Sequence, residues 1–299
     1  MMNRDPFRTL VRAEGVRLYR DLPWRNTRDP YGIWISEVML QQTQVPRVLA
    51  RWGAWLDRFP SVQALAQAPV ADVLEEWQGM GYNRRALALK GAAEAIVAEY
   101  DGEIPQDTRQ LCALPGIGPA TAQGIRSFAF DLPGVYLGTV FLHHFFPDVP
   151  GVPDRELVPL IQAACPAGED AAGDLFAIAQ DENDTPRSWY YALLDYGAHL
   201  KKTVPNPSRR SSSYTRQSAF EGSRRQKRAH IVRMLLDASK CGGLLGIDEI
   251  AAGVNDMELK AGRPHVEREL VASILDDLER EGFCVRRESG GLDVWAICS

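Results

Sequence analysis

Through the first two hundred residues, apolar positions recur every three or four residues in short windows, and Pro or Gly closes each window. That spacing is the helical period, and no stretch alternates as a half-buried strand would. The pattern predicts helices over residues 7–21, 33–40, 45–59, 61–66, 70–76, 84–99, 108–112, 119–130, 157–164 and 189–200. Gly81 ahead of Tyr82-Asn83-Arg84-Arg85 marks a turn between two of them, and Asp107 or Thr108 can cap the helix that follows Pro105.

The period vanishes over residues 204–213, where two prolines stand among Ser and Arg, and an extended linker is expected there. Beyond it the helical period returns over 224–239, 247–253 and 266–281. Two short β-rich runs follow, Phe283-Cys284-Val285-Arg286-Arg287 and Asp293-Val294-Trp295-Ala296-Ile297, about a Ser289-Gly290-Gly291 turn. Three helices and a hairpin are the element order of a small winged-helix domain. The fold class expected is mainly α, with an all-helical domain over 1–203, a basic linker over 204–222 and a winged-helix-like α+β domain over 223–299.

Composition narrows this little: 45% hydrophobic and 24% charged residues suit a globular chain with a sizeable core. No apolar run approaches the roughly eighteen residues a membrane span needs, so a soluble, cytoplasmic protein is expected. Five cysteines, Cys112, Cys165, Cys241, Cys284 and Cys298, lie far apart without a Cys-x-x-Cys pair, and they read as reduced. A net charge of −5 speaks against nucleic acid only on average. From Lys201 to Arg228 nine Lys or Arg stand against the single acid Glu221, a strongly basic stretch in an acidic chain.

The most informative local motif is Leu114-Pro115-Gly116-Ile117-Gly118-Pro119-Ala120-Thr121-Ala122. Gly116 and Gly118 allow close backbone approach, and a helix opened by Pro119 presents unpaired N–H groups and the positive end of its dipole. A phosphate of a nucleic-acid backbone fits that turn; a bare Pro-Gly-x-Gly would more often be a plain helical hairpin. Upstream stand Leu22-Pro23-Trp24-Arg25 and Pro30-Tyr31-Gly32-Ile33-Trp34-Ile35-Ser36-Glu37-Val38-Met39-Leu40-Gln41-Gln42-Thr43-Gln44-Val45, then Gly79-Met80-Gly81-Tyr82. In this order the segments resemble the adenine-excising branch of the helix-hairpin-helix (HhH-GPD) DNA glycosylases, over about residues 7–200.

That resemblance implies base flipping from double-stranded DNA and excision by an acid that protonates the leaving base. Glu37 takes this place. Gln41 and Gln42, four and five residues on, would return one helical turn towards the same pocket for base recognition and filling of the vacated stack. Arg25 would line the base pocket, Trp24 is either a second wall or a core aromatic, and Tyr82 would wedge into the strand beside the opposing base. Gly116, Gly118 and Ala120 would meet the DNA backbone. Relatives that also cut the strand carry a Schiff-base lysine where Ala120 stands, so a monofunctional enzyme is implied. The backbone carbonyls of Cys112, Leu114 and Ile117 would hold a monovalent cation beside the phosphate.

Two departures from the family pattern alter the expectation. The family's apolar-Asp-Gly-Asn-Val stretch carries a second catalytic carboxylate; counted from Leu114 its place falls on Gly138, in Val135-Tyr136-Leu137-Gly138-Thr139-Val140. Asp131 and Asp148 are the nearest acids, and His143-His144 lie in an apolar run that favours a buried pair. Relatives also follow an Asp-x-Gly-Ala segment with four cysteines on an iron–sulfur cluster. Here Asp195-Tyr196-Gly197-Ala198 is followed by Lys201, Ser208, Ser211 and Gln217, so no cluster is expected and the basic loop suits phosphate contact. Arg286 and Arg287 on the wing would reach a DNA groove or dock a protein. The expected partner is duplex DNA with a mispaired or damaged base, bound by a monomer. Adenine opposite damaged guanine comes first, then a mispaired pyrimidine, then a catalytically silent lesion-sensing protein or a winged-helix regulator.

Overall fold

A computed structural model describes residues 5–135, 138–166, 184–216 and 219–298. The chain is mainly helical, with α1 (Asp5–Arg17), α2 (Pro30–Leu40), α3 (Val45–Arg58), α4 (Val62–Gln67), α5 (Val70–Glu76), α6 (Arg84–Glu99) and α7 (Thr108–Ala113). There follow α8 (Pro119–Ala129), α9 (Thr139–Phe145), α10 (Asp154–Ala164), α11 (Pro186–Thr203), α12 (Arg224–Ser239), α13 (Ile247–Lys260) and α14 (Arg268–Arg280). Strands β1 (Leu245–Gly246), β2 (Cys284–Ser289) and β3 (Leu292–Ile297) form one antiparallel sheet in the order β1-β3-β2. No helix among the described residues is long and apolar enough to cross a membrane.

Four elements differ from the sequence-based expectation, each for a local reason. The first helix ends at Arg17, and Leu22 is extended ahead of Pro23, whose ring disfavours a helical residue before it. α13 runs past Gly253 to Lys260. A Cβ on Gly253 would come within 2.3 Å of the Met234 methyl, so this glycine serves close packing and not a helix stop. The apolar run at 139–145 is a helix whose period is hidden because it is apolar nearly all round. In place of an extended linker, Pro207–Arg210 forms a 3-10 turn, with the Asn206 side chain accepting from the Ser208 N–H at 3.1 Å.

The described chain divides into two compact units. The first comprises Met1–Val38, Ile104–Ala113 and Ile117–Arg216. Its core surrounds α11, where Trp189 and Tyr190 are fully buried with Phe141 and Val11. α1 crosses α11 at Gly15, where an added Cβ would lie 2.4 Å from the Ala192 Cβ. Residues 208–211 of the basic segment are stitched to this unit. Val152 and Ser211 bridge in parallel, Thr139 Oγ1 meets Ser208 Oγ at 3.0 Å, and Arg210 donates to the Leu142 carbonyl at 3.1 Å.

The second unit comprises Met39–Glu103, Leu114–Gly116 and Gln217–Ser299. Trp55 and Trp77 meet edge-to-face at 5.4 Å inside α3–α6. In its C-terminal part Ile231, Leu235, Ile250, Val254, Val271, Ile274 and Leu275 interlock α12–α14, and Trp295 of β3 is buried with them. This is the three-helix and hairpin arrangement expected for 223–299, with β1 as an added edge.

Candidate active site

In the first unit Glu37 lies on α2, an unusually apolar helix in which Ile33, Trp34 and Ile35 are fully buried and Glu37 half-buried. Its carboxylate sits against Gly124 of α8, occupying the space a side chain would need: an added Cβ would stand 2.1 Å from Glu37 Oε2. α8 is the helix that the Pro-Gly-x-Gly motif opens, with Gly118 extended at the cap and Pro119 in its first turn. The motif therefore places the helix whose bare glycine face receives the acid.

Tyr191 of α11 stacks on Phe128 of α8 at 4.5 Å. Burial pushes its phenol up to about 12, with Arg187 and Arg25 pulling it down and the Glu37 carboxylate pushing it further up. The charge of Glu37 is thus felt at the Tyr191 hydroxyl, and both belong to one electrostatic neighbourhood.

Trp24 and Arg25 are both buried, in a 3-10 turn. The Arg25 guanidinium donates twice to Asp195, at 2.7 and 2.8 Å, and lies 4.3 Å over the Tyr191 ring. Arg20 adds a third hydrogen bond to Asp195 at 2.5 Å. A fully buried carboxylate is tolerable only with such pairing. Arg187 donates to the carbonyls of Arg25, Thr27 and Phe128, and burial lowers its pKa. Beside this cluster a cavity of about 780 Å³ is walled by Tyr19, Arg25, Arg28, Arg187 and Tyr191, ample for a nucleobase.

Gly138 caps α9, and an added Cβ there would make ordinary contact with Leu157 at 3.5 Å, so a β-carbon is accommodated at this position. Tyr136 and Leu137 lie outside the described residues. Asp131 is committed elsewhere: it accepts the Arg187 N–H that opens α11 at 2.8 Å and pairs with Arg28 at 3.5 Å. Asp148 is exposed in a turn. Burial lowers the pKa of both His143 and His144; His144 Nε2 is 2.9 Å from the Tyr196 hydroxyl and packs edge-on against Phe7. The pair is a packing element.

In the second unit Gln41 and Gln42 stand in the turn that follows the end of α2 at Leu40. Gln42 and Tyr82 both adopt left-handed backbone, at φ 54° and 48°, a region that costs a non-glycine residue roughly 1–2 kcal/mol. Arg85 holds both turns. It donates to the carbonyls of Met39, Gln41, Met80 and Gly81 and to Thr43 Oγ1, all within 3.1 Å. Burial depresses its pKa to about 10. In the same unit Gly116 has φ 73°, and an added Cβ would lie 2.6 Å from that of Ala88, so only glycine fits that turn. Leu114 and Ile117 are buried, Cys112 partly so, and Gly118, Pro119 and Ala120 are exposed.

The sequence reading did not find Gly124, Tyr191, Asp195 as a partner of Arg25, or Arg85. Arg85 leaves one trace: two arginines open α6, where the helix dipole disfavours cations, so they must serve something else. Among the described residues no three His, Cys, Asp or Glu gather as a metal site. Lys201, Ser208 and Ser211 offer no thiolate, and Gln217 lies outside the described residues, so this loop does not fit an iron–sulfur cluster.

The chain matches, over residues 35–232, the family described as HhH-GPD superfamily base excision DNA repair protein. It is 46% identical over 113 residues to the adenine DNA glycosylase of Mycolicibacterium smegmatis, covering 38% of this chain and 39% of that protein. With the adenine DNA glycosylase of Mus musculus it shares 42% over 131 residues, covering 40% of this chain and 25% of the relative. It thus spans about two-fifths or less of the length of these relatives. The fold is similar to a thermostable thymine-DNA glycosylase, with a TM-score of 0.55 at 22% identity over 68% of this chain and 90% of the other. It is also similar to endonuclease III in a non-covalent DNA complex, with a TM-score of 0.50 at 16% identity over 71% and 97%. With two-thirds of its length inside the family's pattern and its fold shared with these glycosylases, the chain belongs to the HhH-GPD superfamily of base excision DNA repair proteins.

Proposed function

We propose that the chain is a monofunctional DNA N-glycosylase that acts as a monomer on duplex DNA holding a mispaired or damaged base, adenine opposite damaged guanine first among them. The observation that carries this reading is the Glu37 carboxylate seated against Gly124 on the hairpin's helix, with its charge acting on Tyr191, a residue that with Arg25 walls a cavity roomy enough for a nucleobase. Relatives named adenine DNA glycosylase supply the choice of base. In its acid form Glu37 gives a proton to a ring nitrogen of the flipped base; the C1′–N bond breaks with its electron pair on the base, and water adds at C1′ and releases a proton that restores the acid form of Glu37. Ala120 has no amine, so the sugar is not captured as a Schiff base. The carbonyls of Cys112, Leu114 and Ile117 are the proposed seat of a monovalent cation. Lys201, Lys202 and Arg209 are proposed phosphate contacts, and Arg286 and Arg287 groove contacts.

The second carboxylate is the weak point of the chemistry. The family's apolar-Asp-Gly-Asn-Val stretch also lies on Tyr136-Leu137-Gly138-Thr139-Val140 without a gap, with Leu137 in the aspartate's place; neither Leu137 nor Gly138 is an acid. Loss of such an electrostatic stabiliser costs on the order of 10²–10³ in rate. Because Asp131 is spent on capping α11, a second reading is a lesion-binding protein without turnover. Single-turnover excision on duplexes carrying each mispair, with alkali to reveal abasic sites, separates them. Glu37→Gln is expected to lower excision by about 10²–10⁴, and Leu137→Asp to raise it by about 10². Tight binding with no product from any duplex, in wild type and Leu137→Asp alike, would establish the binding protein.

A further inference from the structure

Glu37 is not among the residues that wall the cavity beside Arg25, whereas Tyr191 is. A base seated in that cavity must therefore receive its proton across a gap. Gly124 and Phe128 lie one turn apart on α8 and share a face, at positions roughly 5–6 Å apart. The Glu37 carboxylate fills the space over Gly124, and the Tyr191 ring stacks on Phe128 at 4.5 Å. Acid and phenol thus stand on neighbouring positions of one helix face, and of the two only the phenol lines the cavity.

The other polar groups of the wall are unsuited to pass a proton on. Its guanidiniums are permanent cations that give up no proton near neutrality. Asp184 is paired with Arg8 and Arg12, and the Thr185 and Ser188 hydroxyls are engaged in the cap of α11. Tyr19 is exposed and packs on Arg25. Tyr191 differs on each count. It is buried, and the guanidiniums of Arg25 and Arg187 lie over its ring at 4.3 and 5.4 Å, so the ring is fixed. The adjacent Tyr190 spends its hydroxyl on the Gly134 carbonyl, but among the described residues no hydrogen bond engages that of Tyr191. Burial keeps the Tyr191 phenol neutral at ordinary pH, and a neutral hydroxyl can accept and donate at once.

We propose that Tyr191 is a second catalytic residue, the relay through which the proton of Glu37 reaches the base. This rests on the glycosylase reading and deepens it. The phenol gives its own proton to a ring nitrogen of the base as it takes one from Glu37, so the tyrosine ends neutral and Glu37 ends as the carboxylate. The C1′–N bond breaks with its electron pair on the base. Water adds at C1′, and the proton it releases returns to Glu37.

Single-turnover excision by the full-length chain in saturating excess tests it, in wild type and in Leu137→Asp, on duplexes carrying each mispair. Tyr191→Phe keeps the stack on Phe128 and removes only the hydroxyl. It is expected to lower excision by about 10²–10⁴, the worth of a general acid, while melting temperature and duplex affinity, read by anisotropy, stay at the values of the parent chain. A double-mutant cycle separates a relay from a packing role. Groups on one proton path act as a unit, so Tyr191→Phe combined with Glu37→Gln should be no slower than the slower single variant. Should Tyr191→Phe melt early, the cycle carries the test, because it compares two chains that share the defect. Excision by Tyr191→Phe at the parent rate would overturn the relay and leave the glycosylase reading intact, as would single losses that multiply in the double variant. No product from any duplex, in wild type and Leu137→Asp alike, would overturn both.

Discussion

Glu37 and Gly124 illustrate how little room a proposed catalytic acid needs and how completely a neighbour can deny it. A methyl group at 124 would fall on the carboxylate, and the acid, being the far end of a flexible side chain, would swing aside at little cost to the fold. Gly124→Ala is therefore expected to lower excision by at least about tenfold, a misplacement effect. The melting temperature should hold or rise, because alanine is the better helix former by about 1 kcal/mol. A rate equal to wild type in single-turnover assays would show that the acid works from another position. At this scale the sequence was legible where a residue carries its own chemistry. Glu37, Arg25 and Tyr82 stand out as types in a motif. Gly124 and Asp195 do not, since their importance lies in what faces them from 87 or 170 residues away, and single-sequence patterns hold no such distance.

Secondary structure repeats the lesson at the level of elements. α5, α6 and α12 were expected within their observed bounds because their ends are written locally, by Pro69 ahead of α5, by the Gly81 turn ahead of α6 and by the Ser223 cap that accepts from the Gln226 N–H. The segment after α11 was not, because its structure comes from partners on α9 and on the stretch between α9 and α10. Arg210, Ser208 and Ser211 hold it by hydrogen bonds, so it should depend on each of them. Arg210→Ala is expected to open residues 205–216 to limited proteolysis while the far-ultraviolet circular dichroism stays unchanged. Protection equal to wild type would mean that the Val152–Ser211 bridge suffices alone.

The whole molecule adds what neither scale contains: the C-terminal three-helix module packs in one unit with residues 39–103. A hydrophobic period reports that a helix has a buried face, and is silent on which distant segment covers it. Charge does part of the joining. Glu281 of the module binds Arg84 and Arg228; burial raises its pKa, but those hydrogen bonds outweigh burial and hold it below the ordinary carboxylate range. A carboxyl depressed in this way stabilises the fold above its unfolded value near about 4.3 and loses that contribution as pH falls through the folded value. Wild type should therefore melt above Glu281→Gln at pH 7, with the gap closing in acid below about pH 4 and narrowing in high salt. A gap that persists in acid would assign the docking to apolar contacts alone.

The left-handed backbone at Tyr82 bears finally on how this chain can be improved or spoiled. Glycine adopts that conformation without penalty, so Tyr82→Gly should be more resistant to urea than Tyr82→Ala by up to about 1 kcal/mol, although it is the more flexible residue. Selection for robustness alone would drift this position towards glycine. A tyrosine kept there marks a place where tolerance has been traded for the ring, and the paired variants measure the size of that trade.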